Sequence, residues 1–195
     1  MNHRKKLFVV STDMGGTQAI LPVLRGLQAT GAWDLVVFAL PGTPAEKLYR
    51  THGYEPRNFA SYGYPRLDDI QAMRVILADE TPSLVLTSAA SADTAIDRMA
   101  LDAAQREEIP NAALIETWPN MWLSRRAARD GPVYRKADRL IVGDRIGFDA
   151  ALAHGFTAKH IRICGNTLDE ELVELKERLP QLRRQARREH NLPEG

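Results

Sequence analysis

Six short apolar runs punctuate the chain: Leu7–Ser11, Leu35–Leu40, Leu84–Thr87, Ala112–Ile115, Leu140–Val142 and Ile161–Ile163. Their apolar positions are nearly continuous rather than alternating with polar ones. Strands buried on both faces read this way, and they belong to parallel sheets covered by helices on each side.

Between the runs the apolar positions take up a helical period. Residues 19–30 place Ile20, Val23, Leu24 and Leu27 on one stripe, and Gly31 stops the helix. On this reading Pro22 falls in the first turn, where its missing N–H costs little. Thr43-Pro44 opens a second helix that Gly53 ends. Residues 67–78 carry Leu67, Ile70, Met73 and Leu77 at helical spacing, and residues 93–108 predict a long helix closed off by Pro110. Asp144 precedes a helix over 147–154 that Gly155 ends. Residues 54–65, rich in Tyr, Gly and Pro, predict a loop with at most one short edge strand; residues 118–136 fit neither period.

Strand-helix units therefore recur roughly every 25–30 residues, the period of right-handed βαβ crossovers. The expected fold is α/β, a Rossmann-like doubly wound parallel sheet with helices on both faces. Residues 168–191 predict a terminal helical segment, acidic at its start and basic at its end, an order that complements the helix dipole. Pro180 is expected to divide it in two. Such a tail suits either a solvated helix or a connector that docks on a partner.

Composition changes this picture only by exclusion. The 195 residues suit one domain, with residues 1–166 as the sheet domain and 167–195 as a helical linker. Basic and acidic residues number 26 and 25, which gives no charge-based reason to expect a nucleic-acid partner. Cys164 is the only cysteine, so no disulfide can form within the chain; it is expected to be a small buried side chain at a strand end. The histidines lack metal-ligand spacing, and no metal or cofactor is expected. The longest apolar run, residues 35–40, is far short of the roughly 20 residues that span a bilayer. The N-terminus lacks the apolar stretch of a signal peptide, so a cytoplasmic location is expected.

Ligands of open parallel sheets bind beyond the carboxyl ends of the strands, near the reversal of strand order. There the chain delivers Gly15-Gly16-Thr17 after the first run, Ser88 after the third, Glu116 after the fourth, Asp144 after the fifth and Gly165-Asn166-Thr167 after the last. Gly15-Gly16 permits a tight turn and close approach of a ligand to backbone amides, although it is neither a dinucleotide fingerprint nor a P-loop. Ser88 and Ser91 suit either a sugar or phosphate ligand or a helix cap. Glu116 suits a general base, a ligand for sugar hydroxyls, or an ion pair with Arg125 or Arg126. Asp144 reads most simply as an N-cap. Trp118 and Trp122 suit either sugar stacking or packing.

Several of these segments resemble a known group. Gly15-Gly16-Thr17 followed by Ile20-Leu21-Pro22-Val23-Leu24 resembles the first loop and helix of GT-B glycosyltransferases, in particular the N-acetylglucosaminyltransferase of peptidoglycan lipid II synthesis. Ile161-Arg162-Ile163-Cys164-Gly165-Asn166-Thr167-Leu168-Asp169 resembles the stretch that closes the N-terminal domain of UDP-N-acetylglucosamine 2-epimerases. Ala137 to Val142, Phe148 to Gly155, and Ile109-Pro110 before Glu116 are similar to further epimerase segments in the same order. The chain departs from the group at Ala19, where the transferase has His, and at Ser88 to Asp93, where the epimerases have Gly-Asp. It departs again at Thr117 to Trp122, where they have an Arg.

The resemblance implies the acceptor-side half of a two-domain enzyme acting on a UDP-sugar and a sugar acceptor in polysaccharide or cell-envelope synthesis. Residues 187–195 are similar to the linker into the second domain, so no turnover is expected from this chain alone, and a homo-oligomer is compatible with it. Glu116, or Asp93, would serve as base; Gly15, Gly16, Thr17, Ser88, Asp144 and Asn166 would bind substrate. The rival expectations are a stand-alone module that binds a small anion or a partner without chemistry, and a self-contained flavodoxin-like enzyme.

Overall fold

The computed structural model describes residues 4–64, 69–89, 96–115, 137–167 and 169–193. Six strands form one sheet: β1 (Lys5–Val10), β2 (Trp33–Phe38), β3 (Leu84–Thr87), β4 (Asn111–Ile115), β5 (Arg139–Val142) and β6 (Ile161–Ile163). Their order is β2-β1-β3-β4-β5-β6, and every neighbouring pair is parallel. The order reverses between β1 and β3. All six carboxyl ends consequently lie on one rim.

The helices are α1 (Met14–Thr30), α2 (Pro44–Thr51), α3 (Ile70–Glu80), α4 (Ile96–Arg106), α5 (Arg145–Ala153) and α6 (Asp169–Glu189). Alternate strand residues feed opposite faces, as a pleat requires. Phe8, Val10, Val36, Phe38 and Val85 pack with Met73 and Ile76 of α3 and Ile96 and Ala100 of α4. Leu7, Val9, Val37 and Leu86 pack with Ile20, Leu21 and Leu24 of α1 and Tyr49 of α2. A third cluster joins Ala113, Ile115, Leu140 and Val142 to Ala151 of α5 and Leu101 of α4. These clusters bury the runs of β1, β3 and β4 on both sides of the sheet, whereas the edge strand β6 buries only Ile161 and leaves Arg162 and Ile163 exposed.

The structure corrects several expectations. α1 starts at Met14, five residues before the expected start, so Pro22 lies inside the helix rather than in its first turn. No edge strand forms in the 54–64 stretch among the described residues; a 3₁₀ turn over Phe59–Tyr62 and a single bridge between Phe38 and Arg57 stand there instead. α6 runs unbroken through Pro180. Its neighbours are mostly exposed, where water can satisfy the carbonyl that proline leaves without a donor. Cys164 is exposed, because it lies one residue past the end of the edge strand β6.

Candidate functional site

The rim is built where β1 and β3 diverge. β1 ends at Val10, and Ser11, Thr12 and Asp13 lead into α1. Asp13 is the N-cap: its Oδ1 accepts the Gly16 N–H at 2.8 Å. Gly15-Gly16 is therefore the first turn of a helix and not a free loop. Gly16 is required by a close approach, since a Cβ there would lie 2.4 Å from the Ser88 Cβ. Gly15 is exposed, and Met14 beside it is 53% exposed. The Thr17 hydroxyl turns inward: it donates to the Asp13 carbonyl at 2.6 Å and lies 2.8 Å from the Ser11 hydroxyl. Ser11 is also 2.7 Å from the Tyr49 hydroxyl. Burial holds the Tyr49 phenol well above its ordinary range, although its bond to Ser11 opposes the shift.

On the other side of the β1 exit lies a carboxylate that the sequence reading passed over. Asp97, in the first turn of α4, is fully buried. The Thr12 hydroxyl donates to its Oδ2 and the Ser88 hydroxyl to its Oδ1. Burial raises the Asp97 carboxyl to about 6; the bonds from Ser88 and Thr12 oppose that shift and the nearby Asp13 charge adds to it. One side chain thus joins the exits of β1 and β3 to the start of α4. A signal was available: Asp97 shares a helix face with Leu101 and Ala104, four and seven residues on, and a lone charge on an apolar stripe is abnormal. Thr87, the last residue of β3, keeps a buried hydroxyl with no hydrogen-bond partner among the described residues.

The far half of the rim comes from β5 and β6. Asp144 caps α5, its Oδ1 accepting the Gly147 N–H at 2.8 Å. An added Cβ on Gly143 would lie 3.7 Å from the Gly165 carbonyl, so these two exits touch. Gly165 adopts φ +81, a conformation that favours glycine. Asn166 follows it and is exposed. The Thr167 hydroxyl then donates to the Ala19 carbonyl at 2.6 Å, across 148 residues of sequence. That bond brings the end of the sheet domain back onto α1.

Of the expected site residues, the structure places Gly15, Gly16, Thr17, Ser88, Asp144 and Asn166 along this one rim. Asp93, Ser91, Glu116, Trp118 and Trp122 lie outside the described residues, though Glu116 is next in sequence to Ile115, the last residue of β4. Among the described residues no group of three potential metal ligands occurs, and no helix is long and apolar enough to cross a membrane.

Solved structures share this architecture. The UDP-N-acetylglucosamine 2-epimerase of Neisseria meningitidis, bound to its UDP-sugar, superposes with a TM-score of 0.69 over 94% of this chain and 53% of its own, at 14% identity. The Rickettsia bellii 2-epimerase gives 0.64 over 92% and 48%, at 17% identity. Acinetobacter baumannii MurG gives 0.60 over 83% and 45%, at 13% identity. The chain has the fold of about half of such an enzyme. It spans roughly half the length of each of these GT-B structures. No family model matches it, and no curated protein matches it in sequence.

Proposed function

We propose that this chain is the acceptor-side half of a sugar-nucleotide enzyme of the 2-epimerase or GT-B transferase type, working in the cytoplasm on polysaccharide or cell-envelope precursors. Residues 1–166 would form the half-site and residues 167–195 the helical linker to a second domain or subunit. The observation that supports the reading is the strand order: it reverses between β1 and β3, and Gly15, Gly16, Thr17 and Ser88 follow the two strands that part there. Open parallel sheets bind their ligands there. The start of α1, with Gly15 exposed, offers amides to substrate oxygens. Gly16 packs that turn against Ser88 and Thr17 ties it to Ser11, while Asp144 and Asn166 would contact substrate from the exits of β5 and β6. Glu116, or Asp93 in its place, would act as the general base, and the reaction would take place in the cleft between the two halves.

The test is an amide-shift titration of the whole chain with UDP-N-acetylglucosamine, paired with a turnover assay on the same sample. Shifts are expected at Gly15, Gly16, Ser88, Asp144 and Asn166, with no turnover. Turnover well above background would overturn the half-enzyme reading. Shifts confined to the opposite rim, around Asn111 and Asp138, would overturn the site.

A further inference from the structure

Thr12 is absent from the set of expected ligand contacts, yet its surroundings give it a defined chemical sense. A hydroxyl can donate one hydrogen and accept on two lone pairs, so alone it discriminates poorly between donors and acceptors. An ionised carboxylate only accepts. Thr12 and Ser88 each give their single hydrogen to Asp97. Ser88 is fully buried. Thr12 is only half-buried, at the exit of β1, beside the reversal of strand order and next to the α1 cap residue Asp13.

We propose that Asp97 turns Thr12 into an obligate hydrogen-bond acceptor at this rim, so that Thr12 selects the O–H or N–H donors of a sugar and disfavours a phosphate oxygen. The proposal rests on the sugar-nucleotide reading and adds a specificity residue to it. It also divides the rim by function. Amides at the start of α1 offer donors, while the Thr12 hydroxyl a few residues earlier offers an acceptor. A ligand bearing both an anionic or carbonyl oxygen and free hydroxyls satisfies the two together. A bare phosphate, which at neutral pH is chiefly an acceptor, satisfies only the first. The arrangement also accounts for a carboxylate at position 97: a fold needing only an internal hydrogen bond could use a neutral side chain, without the cost of burying a charge.

The experiment is an amide-shift titration of the full chain with N-acetylglucosamine and, separately, with inorganic phosphate, for the native protein and for Thr12→Val and Asp97→Asn. Thr12→Val keeps the shape and removes the acceptor; it should weaken sugar binding about tenfold, one hydrogen bond's worth, and leave phosphate binding unchanged. Asp97→Asn keeps the shape and can donate to Thr12 through its amide, which frees the Thr12 hydrogen. It should weaken the sugar and strengthen phosphate at the same residues. Equal sugar affinity in native and Thr12→Val protein would overturn the role of Thr12 while leaving the rim reading intact. Native protein showing no sugar shifts on the rim would overturn both. Unchanged preferences in Asp97→Asn would overturn the polarity argument alone. A folded-protein spectrum for each variant separates these results from unfolding.

Discussion

Among the described residues two acids are withdrawn from water, and their surroundings differ in kind. Glu80, at the end of α3, meets Lys6 at 2.8 Å, Arg57, and the Tyr62 hydroxyl at 2.8 Å. Burial pushes its carboxyl up, but the bonds from Lys6 and Tyr62 and the Arg57 charge outweigh it, and the net shift is downward. Asp97 has hydroxyl partners and, among the described residues, no cationic donor, and its carboxyl rises to about 6. Glu80 fastens α3 to the start of β1 and to the loop beside β2, and Lys6 and Arg57 compensate its charge. Asp97 stands under the rim formed by the carboxyl ends of the strands, with no ion pair among the described residues. Burying a carboxylate without a bonded cation costs stability, and at Asp97 it fixes the direction in which two hydroxyls donate.

The sharpest break in that comparison is Asp97→Ala. It opens a small void and strands two hydroxyls, and should cost about 3 kcal/mol in urea unfolding. A loss below about 1 kcal/mol would mean that the Thr12 and Ser88 hydroxyls find other partners.

Next in size is the pH response. A carboxyl raised in the folded state penalises its ionised form. Its contribution is most favourable below the unfolded value near 3.8 and is lost as pH rises through about 6. The span is about 3 kcal/mol, and it should vanish from the pH profile of Asp97→Asn. Glu80 runs the other way. Its lowered carboxyl adds stability above its ordinary value of 4.5 and loses it as pH falls through the folded value. A native profile that simply falls with acid from pH 6 downward would contradict the Asp97 assignment.

Glu80→Gln should cost about 1 kcal/mol, since Lys6 and Arg57 can turn to solvent when their partner is neutral. The smallest effect belongs to Thr87→Val, which removes a buried hydroxyl without a partner and should stabilise the fold by at most about 1 kcal/mol in the same unfolding assay.

The sheet was legible because its signal is local. The runs at 84–87 and 161–163 match β3 and β6 residue for residue, although the edge strand β6 buries only Ile161. What escaped depends on residues distant in sequence. Gly15-Gly16 has poor helix propensity; Asp13 caps the first turn of α1 there, and the close approach of Ser88 requires a glycine at position 16. Pro22 lies inside α1 because the helix starts at Met14. Pro180 was read as a break because its ring usually removes a needed bond, whereas in an exposed helix water takes the orphaned carbonyl. The rule that strands deliver chemistry at their ends points to residues on the rim, but Asp97 arrives from a helix and falls outside that rule.

The bond from Thr167 to Ala19 has a mechanical consequence. α6 begins two residues after Thr167, and α1 carries the exposed Gly15 one turn before Ala19. A load that tilts the terminal helix therefore reaches the opening turn of the first one without passing through the sheet. Hydrogen exchange at the amides of residues 14–18 should report the position of a helix that begins more than 150 residues later.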